Sequence, residues 1–255
     1  MTAGKSASAA PPPTANIMTP VGGTPKSHIH MVTVLAMLTA GADNADTDEP
    51  LTLKQAMASP HWPEFKKAMQ TEYDSLIHNN TWELVPTPTN QRVLTGRWVF
   101  KIKKDRLGNI LKFKACWVAH GYKQEERLDF TDTFASVVKL MSWKAIIAVA
   151  AKRGLKIWQM DVVTAYQFGF LDEKVYIRQP TLMEDGASRV CLLKKALYGL
   201  KQSACVWYQT LQDFLKKLGF KRIDADHGLF ISNDKSIYIA IYVNDILFFG
   251  APDDP

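Results

Sequence analysis

Two aspartates stand where apolar runs give out. Asp161 closes the run Leu155-Lys-Ile-Trp-Gln-Met-Asp, and Asp245 sits inside Ser236-Ile-Tyr-Ile-Ala-Ile-Tyr-Val-Asn-Asp-Ile-Leu-Phe-Phe-Gly250. Short runs rich in Ile, Val, Tyr and Phe read as buried strands. The pair Asn244-Asp245 between them reads as a tight hairpin turn, because Asn and Asp tolerate left-handed backbone. Carboxylates at strand ends from different parts of one sheet can converge on one point. That arrangement suits magnesium, a hard cation held by a few carboxylates plus substrate phosphates. Two such ions about 4 Å apart can clamp the attacking and leaving oxygens of an in-line displacement at phosphorus. Taken singly, each aspartate has a plainer reading: Asp245 as part of an ordinary turn, Asp161 as a turn or helix-cap carboxylate before Val162 to Gln167.

The elements that must hold these groups are readable on either side. Thr52 caps a short helix through Met57, and Ser59-Pro60 restarts the chain. From His61 to His78, Trp62, Phe65, Met69, Tyr73 and Leu76 recur every three or four residues and form one packing face. Trp82 to Tyr122 reads as strands. Within it, Trp98, Phe100 and Ile102 alternate with Arg97, Val99, Lys101 and Lys103, and Gly108-Asn109 turns the chain into Ile110 to Ala119. The basic residues from Arg97 to Lys123 are Arg97, Lys101, Lys103, Lys104, Arg106, Lys112, Lys114 and Lys123, against the single acid Asp105. A strand pair with so one-signed a face reads as a phosphate-facing surface, the alternative being a solvated charged face. Ser142 to Arg153 is a helix capped by Ser142 and closed by Gly154. Strands follow at 155–161, around Val175-Tyr-Ile, at Val190-Cys-Leu-Leu and at Leu229-Phe-Ile-Ser. A long helix runs from Ser203 to Leu218 and Gly219 closes it.

The 255 residues can form one large domain with a sizeable core, and 47% hydrophobic and 22% charged content are ordinary for a globular protein. The net charge of +6 leans mildly toward polyanionic partners. Cys116, Cys191 and Cys205 show neither a metal spacing nor a disulfide framework, which points to a reducing, intracellular setting. No signal peptide is visible, and the apolar run 31–40 is far too short to span a bilayer. Residues 1–50 read as a disordered, Ala/Pro/Thr/Ser-rich lead-in with a short helix over Met31 to Thr39, and residues 51–255 as the folded domain.

Five stretches occur in order: Asn80-Thr-Trp-Glu-Leu-Val, Arg97-Trp-Val-Phe-Lys, Gln159-Met-Asp-Val, Leu197-Tyr-Gly-Leu-Lys-Gln and Ile241-Tyr-Val-Asn-Asp-Ile-Leu. In that order and spacing the chain resembles the reverse transcriptase of copia-type (pseudoviral) LTR retrotransposons, from about Leu51 to its end. The resemblance implies an α+β, right-hand polymerase fold: N-terminal helices at 51–81, basic fingers strands at 82–138, and a palm with an antiparallel sheet at 139–255. It implies RNA-directed DNA polymerisation with two magnesium ions, a primed RNA or DNA template and deoxynucleoside triphosphates. No membrane is involved, and the setting is cytoplasmic, a virus-like particle or the nucleus.

Residue by residue, the resemblance makes Asp161 and Asp245 metal carboxylates and the carbonyl of Val162 an auxiliary ligand. Tyr166 falls where the family places an aromatic beneath the deoxyribose; a core aromatic is the alternative. Gly199 and Gln202 lie in the segment flanking the incoming nucleotide, and Lys101 and Lys114 are phosphate contacts on the fingers or else solvated lysines. Asn244 occupies a catalytic position that is aspartate in the family. An amide keeps the shape there but drops the charge, a loss of several kcal/mol or roughly a thousandfold in rate. Cys116 and Cys205 stand where arginine is usual and His120 where lysine is usual, and cysteine supplies neither charge nor fork. The chain stops at Pro255 directly after the hairpin, so thumb, ribonuclease H and integrase portions are expected to be absent from it. The resulting expectation is an impaired or inactive reverse transcriptase domain, the alternative being a non-catalytic nucleic-acid-binding or inert remnant.

Overall fold

Alternation and turn chemistry account for most of the elements in the computed structural model, which describes residues 49–105 and 107–251. The expected lead-in, apart from its last two residues, and the short helix at 31–39 lie outside the described residues. Thr52 opens α1 (Leu53–Ala58) with a capping box, its side chain accepting from the Gln55 N–H while Gln55 reaches back. Helix α2 (Trp62–His78) follows, and its striped face buries Phe65, Met69 and Leu76. Strands β1 (Trp82–Pro86) and β2 (Val93–Leu94) lead into β3 (Gly96–Lys104) and β4 (Ile110–Ala119). The last two form a separate antiparallel ribbon closed at Gly108, whose φ of 87° the turn requires.

Beyond a short 3₁₀ turn at Gly121–Lys123 come α3 (Leu140–Arg153), β5 (Lys156–Asp161) and a second 3₁₀ turn at Ala165–Phe168. The chain continues through β6 (Phe170–Ile177), β7 (Arg189–Lys195) and α4 (Ser203–Lys217), then β8 (Phe220–Ile223), β9 (Asp226–Ser232), β10 (Tyr238–Tyr242) and β11 (Asp245–Gly250). A four-stranded sheet has the order β1-β7-β6-β2, antiparallel except for the parallel β2–β6 contact. A five-stranded sheet has the order β5-β11-β10-β9-β8 and is antiparallel throughout. The fold is therefore α+β, as the sequence leads one to expect.

Among the described residues, two apolar clusters bear on the site. The first joins α1 and α2 to the inner face of the β3–β4 ribbon and to the four-stranded sheet, through Phe65, Met69, Trp98, Phe100, Trp117 and Ile177 among others. The second places α4 on the five-stranded sheet, with Trp207, Leu211 and Leu215 against Phe230, Ile239, Ile241 and Ile246. Alternation along β11 leaves Leu247 and Phe249, also buried, on the opposite face.

Helix α3 differs from its reading at the start. It begins at Leu140 rather than at Ser142, and its N-cap residue Lys139 makes no side-chain cap. The cap comes instead from a distant strand. Buried Asp226 accepts from the Lys139 N–H at 2.8 Å and from the Gly228 N–H at 2.9 Å. Gly228 is needed for the crossing, because a Cβ there would meet the Val138 nitrogen at 2.2 Å. Burial pushes the Asp226 carboxyl up, but bonds from Ser142 and from the Lys139 and Gly228 backbone outweigh it and leave the group below the usual range. A group with a depressed folded-state pKa stabilises the fold at neutral pH, and the contribution is lost as pH falls through the folded value. Asp226→Ala therefore costs about 1–3 kcal/mol at pH 7 in urea unfolding, and the gap from the native chain narrows below about pH 4.

Candidate active site

The expected turn is displaced by one residue. Tyr242 pairs with Asp245, so the two-residue loop is Val243-Asn244 and Asp245 is the first residue of β11. Val243, rather than Asn244 or Asp245, carries the positive φ, at 56°. A β-branched residue in that region is strained, at about 1–2 kcal/mol, and persists only when its surroundings hold it. Three bonds do so. The Trp207 indole N–H on α4 donates to the Val243 carbonyl at 2.9 Å. The Val162 N–H, just past β5, donates to the Asn244 carbonyl at 3.0 Å. The Asn244 amide Nδ2 donates to the Tyr198 phenol oxygen at 3.1 Å.

This pinned turn sets the register of the carboxylates. β11 runs beside β5 with Asp245 directly opposite Asp161 and Ile246 opposite Met160. The two aspartates come from residues far apart in sequence and face each other at the same end of the sheet. Asp161 is exposed and Asp245 half-buried. Burial raises the Asp245 carboxyl above its usual range and the charge of Asp161 adds to the rise, while the Gln159 amide, donating at 3.3 Å, opposes it. Such a pair is relieved by a cation or a proton. Two carboxylates in register fit a single hard divalent ion. Among the described residues there is no group of three or more His, Cys, Asp and Glu that could hold one. At the adjoining position, the Asn244 Oδ1 is buried and has no hydrogen-bond partner.

The other expected residues fall into two sets. Tyr166, in the 3₁₀ turn after β5, is half-buried with its ring 4.6 Å from that of Tyr198 at 62°. Burial raises its phenol pKa. On the ribbon, Lys101 lies opposite Lys114 and Lys103 opposite Lys112. Cys116 follows on the same face as Lys114. Burial and the Glu72 carboxylate push its thiol up to about 11, with Lys114 opposing. Gly199 and Gln202, by contrast, serve backbone and interior. Gly199 has a φ of 91°, and a Cβ there would meet the Ala119 carbonyl at 2.2 Å. Gln202 is buried, its Nε2 donating to the Asp129 carbonyl at 2.8 Å and its Oε1 accepting from Gln124 at 3.0 Å.

Of the other residues at which the resemblance leads one to expect a basic side chain, His120 shares a 2.7 Å hydrogen bond with the Thr95 hydroxyl, and Cys205 is buried in α4. Sequence reasoning passed over Gln159, Trp207 and Tyr198. Gln159 could have been found, since it stands two residues before Asp161 on one strand and shares its face. Trp207 and Tyr198 reach the turn only through tertiary packing. Because the strain at Val243 is local, Val243→Gly removes it at the usual backbone-entropy cost of glycine. Urea unfolding of that variant shows a stability equal to or up to about 1 kcal/mol above the native chain, whereas Asn244→Gly shows a loss.

Residues 79–253 match the family described as reverse transcriptase (RNA-dependent DNA polymerase). Over 211 residues the chain is 36% identical to the retrovirus-related Pol polyprotein from transposon TNT 1-94 of Nicotiana tabacum, covering 81% of this chain and 16% of that protein. Over 216 residues it is 39% identical to the corresponding polyprotein from transposon RE1 of Arabidopsis thaliana, covering 83% of this chain and 14% of the relative. The truncated transposon Ty1-A Gag-Pol polyprotein of Saccharomyces cerevisiae is 26% identical over 213 residues, covering 80% of this chain and 17% of the relative. The chain thus spans about a sixth of the length of these curated relatives. By its matched residues, the motifs they contain and the paired strands that bear Asp161 and Asp245, the chain belongs to the reverse transcriptase (RNA-dependent DNA polymerase) family, in its copia-type retrotransposon form.

Proposed function

We propose that this domain is built for templated addition of deoxynucleotides to a primer with magnesium, and that Asn244 and Cys116 leave it impaired. The observation that carries the reading is the opposition of Asp161 and Asp245 across β5 and β11 at a strained, triply bonded turn. In this reading the ribbon β3–β4 and the helix α2 beneath it are fingers, and the five-stranded sheet with α3 and α4 is palm. Asp161 and Asp245, with the Val162 carbonyl, would hold the metal. Magnesium bound there supplies charge neutralisation at the attacking and leaving oxygens of the phosphoryl transfer. The protein's share is to present two fixed carboxylates, and the aromatic floor of Tyr166 and Tyr198 stands beside them for the nucleotide.

Asn244 contributes shape without charge. With aspartate at 244 the site would present three carboxylates, and with asparagine it presents two, Asp161 from β5 and Asp245 from the turn. Cys116 adds to the deficit on the fingers side, where an arginine would face Glu72 and incoming phosphates. Primer extension on an RNA template tests this directly, with the chain joined to the segment that follows this region in an active relative. Asn244→Asp raises the magnesium-dependent rate by roughly a thousandfold, Cys116→Arg adds to it, and Asp161→Ala abolishes extension in every background. Full activity of the unaltered sequence sinks the impaired reading.

A second reading, nucleic-acid binding without catalysis, is favoured by one observation. Lys103 and Lys112 are a like-charged pair directly across the ribbon, an arrangement that costs stability. A phosphate backbone lying over the ribbon offsets that cost. Binding of the chain to a primer–template then weakens steeply with salt, and Lys103→Gln or Lys112→Gln each lowers the slope of log K against log salt by about one. A flat salt dependence removes the ribbon from the interface.

A further inference from the structure

The groups flanking the carboxylate turn converge on one side chain to which the resemblance gives no role. Tyr198 touches the turn, the nucleotide-side aromatic and the end of the basic ribbon at once. Its phenol oxygen accepts from the Asn244 amide at 3.1 Å. Its ring meets Tyr166 edge-on at 4.6 Å. Its carbonyl accepts from the Ala119 N–H, at the last residue of β4, at 2.8 Å. The neighbouring backbone leaves it no latitude: Gly199 lies against Ala119, and a Cβ on Gly121 would meet the Gly199 carbonyl at 1.9 Å. Cys116 and Glu72, from the ribbon and from α2, lie close enough to act electrostatically on the phenol.

We propose that Tyr198 is a positioning residue that fixes the metal-side turn relative to the basic ribbon, its phenol holding residue 244 and its ring holding Tyr166. The chemistry of the phenol suits this, since a hydroxyl both donates and accepts. It accepts from an amide at 244, and it would donate to a carboxylate there in a stronger, charge-assisted bond. The amide uses its Nδ2 on the phenol and leaves its buried Oδ1 without a hydrogen bond in the protein. Tyr198 is thus what keeps an uncharged residue 244 in the position of a ligand, with Val243 held in its strained form behind it. This inference rests on the reading of Asp161 and Asp245 as the metal pair.

Manganese alone, titrated into the full chain and followed by its electron paramagnetic resonance signal, provides the test. Tyr198→Phe keeps the ring and the backbone bond and loses only the hydroxyl. Manganese binding weakens by about tenfold in Tyr198→Phe, as for the loss of an outer partner of a ligand. The same substitution has no further effect in an Asn244→Ala background, because its effect passes through residue 244. An unchanged affinity in the single variant, or an equal loss in both backgrounds, overturns the proposal. Hydrogen exchange at the Val162 amide, which bonds to Asn244, supplies a metal-free arm. It accelerates about fivefold in Tyr198→Phe, the equivalent of one hydrogen bond, and unaltered exchange also overturns the proposal. Asp161→Ala separates the two layers. If that variant binds manganese as the native chain does, the metal pair is wrong, and the exchange arm alone decides whether Tyr198 anchors the turn.

Discussion

The register between β11 and β5 is the constraint on which the site depends. Side chains alternate across a strand, so a slip of one residue would carry Asp245 to the other face of the sheet and leave Asp161 facing Ile246. The hydrophobic pattern alone opposes such a slip only in part, because Ile246 through Phe249 are apolar on both faces of β11. What fixes the register is the turn. A two-residue loop at Val243-Asn244 forces Tyr242 opposite Asp245, and bonds from Trp207, Val162 and Tyr198 forbid its alternatives. The strain at Val243 follows from those bonds rather than from any preference of valine.

The same turn explains how two separately packed cores come to share one site. The aromatic core around Phe65 and Trp117 carries the basic ribbon, and the core around Trp207 and Ile241 carries the carboxylates. The short segment 197–202, whose Leu197 and Leu200 belong to the first of these cores, reaches the turn through Tyr198. Gly199 and Gly121 let its backbone press against the end of β4, and Gln202 and Gln124 bond it to the loop at Asp129. Cys116 lies on the ribbon side of Tyr198 and Asn244 on the carboxylate side. The two positions at which the proposed reading finds a missing charge therefore flank a single phenol.

Much of the fold was legible because its signals are local. Alternation gave β4 its observed bounds, Gly154 and Gly219 closed their helices with positive φ, and the apolar run into Asp161 became β5. The misses share a cause. β2 is two residues long and exists only through its parallel contact with β6, and β8 exists only through pairing with β9. The start of α3 is set by Asp226, a residue far along the chain. At the site, motif order picked out Asp161 and Asp245, but positive φ fell on Val243 against every turn preference. The burial of Gln202 depends on Gln124 and Asp129, which no spacing within the Leu197-Tyr-Gly-Leu-Lys-Gln stretch announces. Local rules failed where tertiary bonds overrode propensity, and at Val243 that failure marks the candidate site.

On the proposed reading, Asn244 shows why a fold of this kind can persist when its metal site lacks a charge. Asparagine and aspartate share a shape, and the phenol of Tyr198 can bond either. Either residue at 244 is therefore compatible with the turn, its register and the second core. The energetics that hold the sheet lie in Phe230, Ile239, Ile241 and Ile246 packed on α4, none of which senses the charge at 244. In the proposed function, metal affinity and transition-state neutralisation would depend on that charge directly, through Coulomb terms that an uncharged isostere does not supply. Selection on folding and selection on catalysis thus act on different atoms of one residue, the backbone and shape in the first case and the side-chain charge in the second. The Oδ1 of Asn244 is buried and makes no hydrogen bond within the protein, so the fold itself does not depend on that atom.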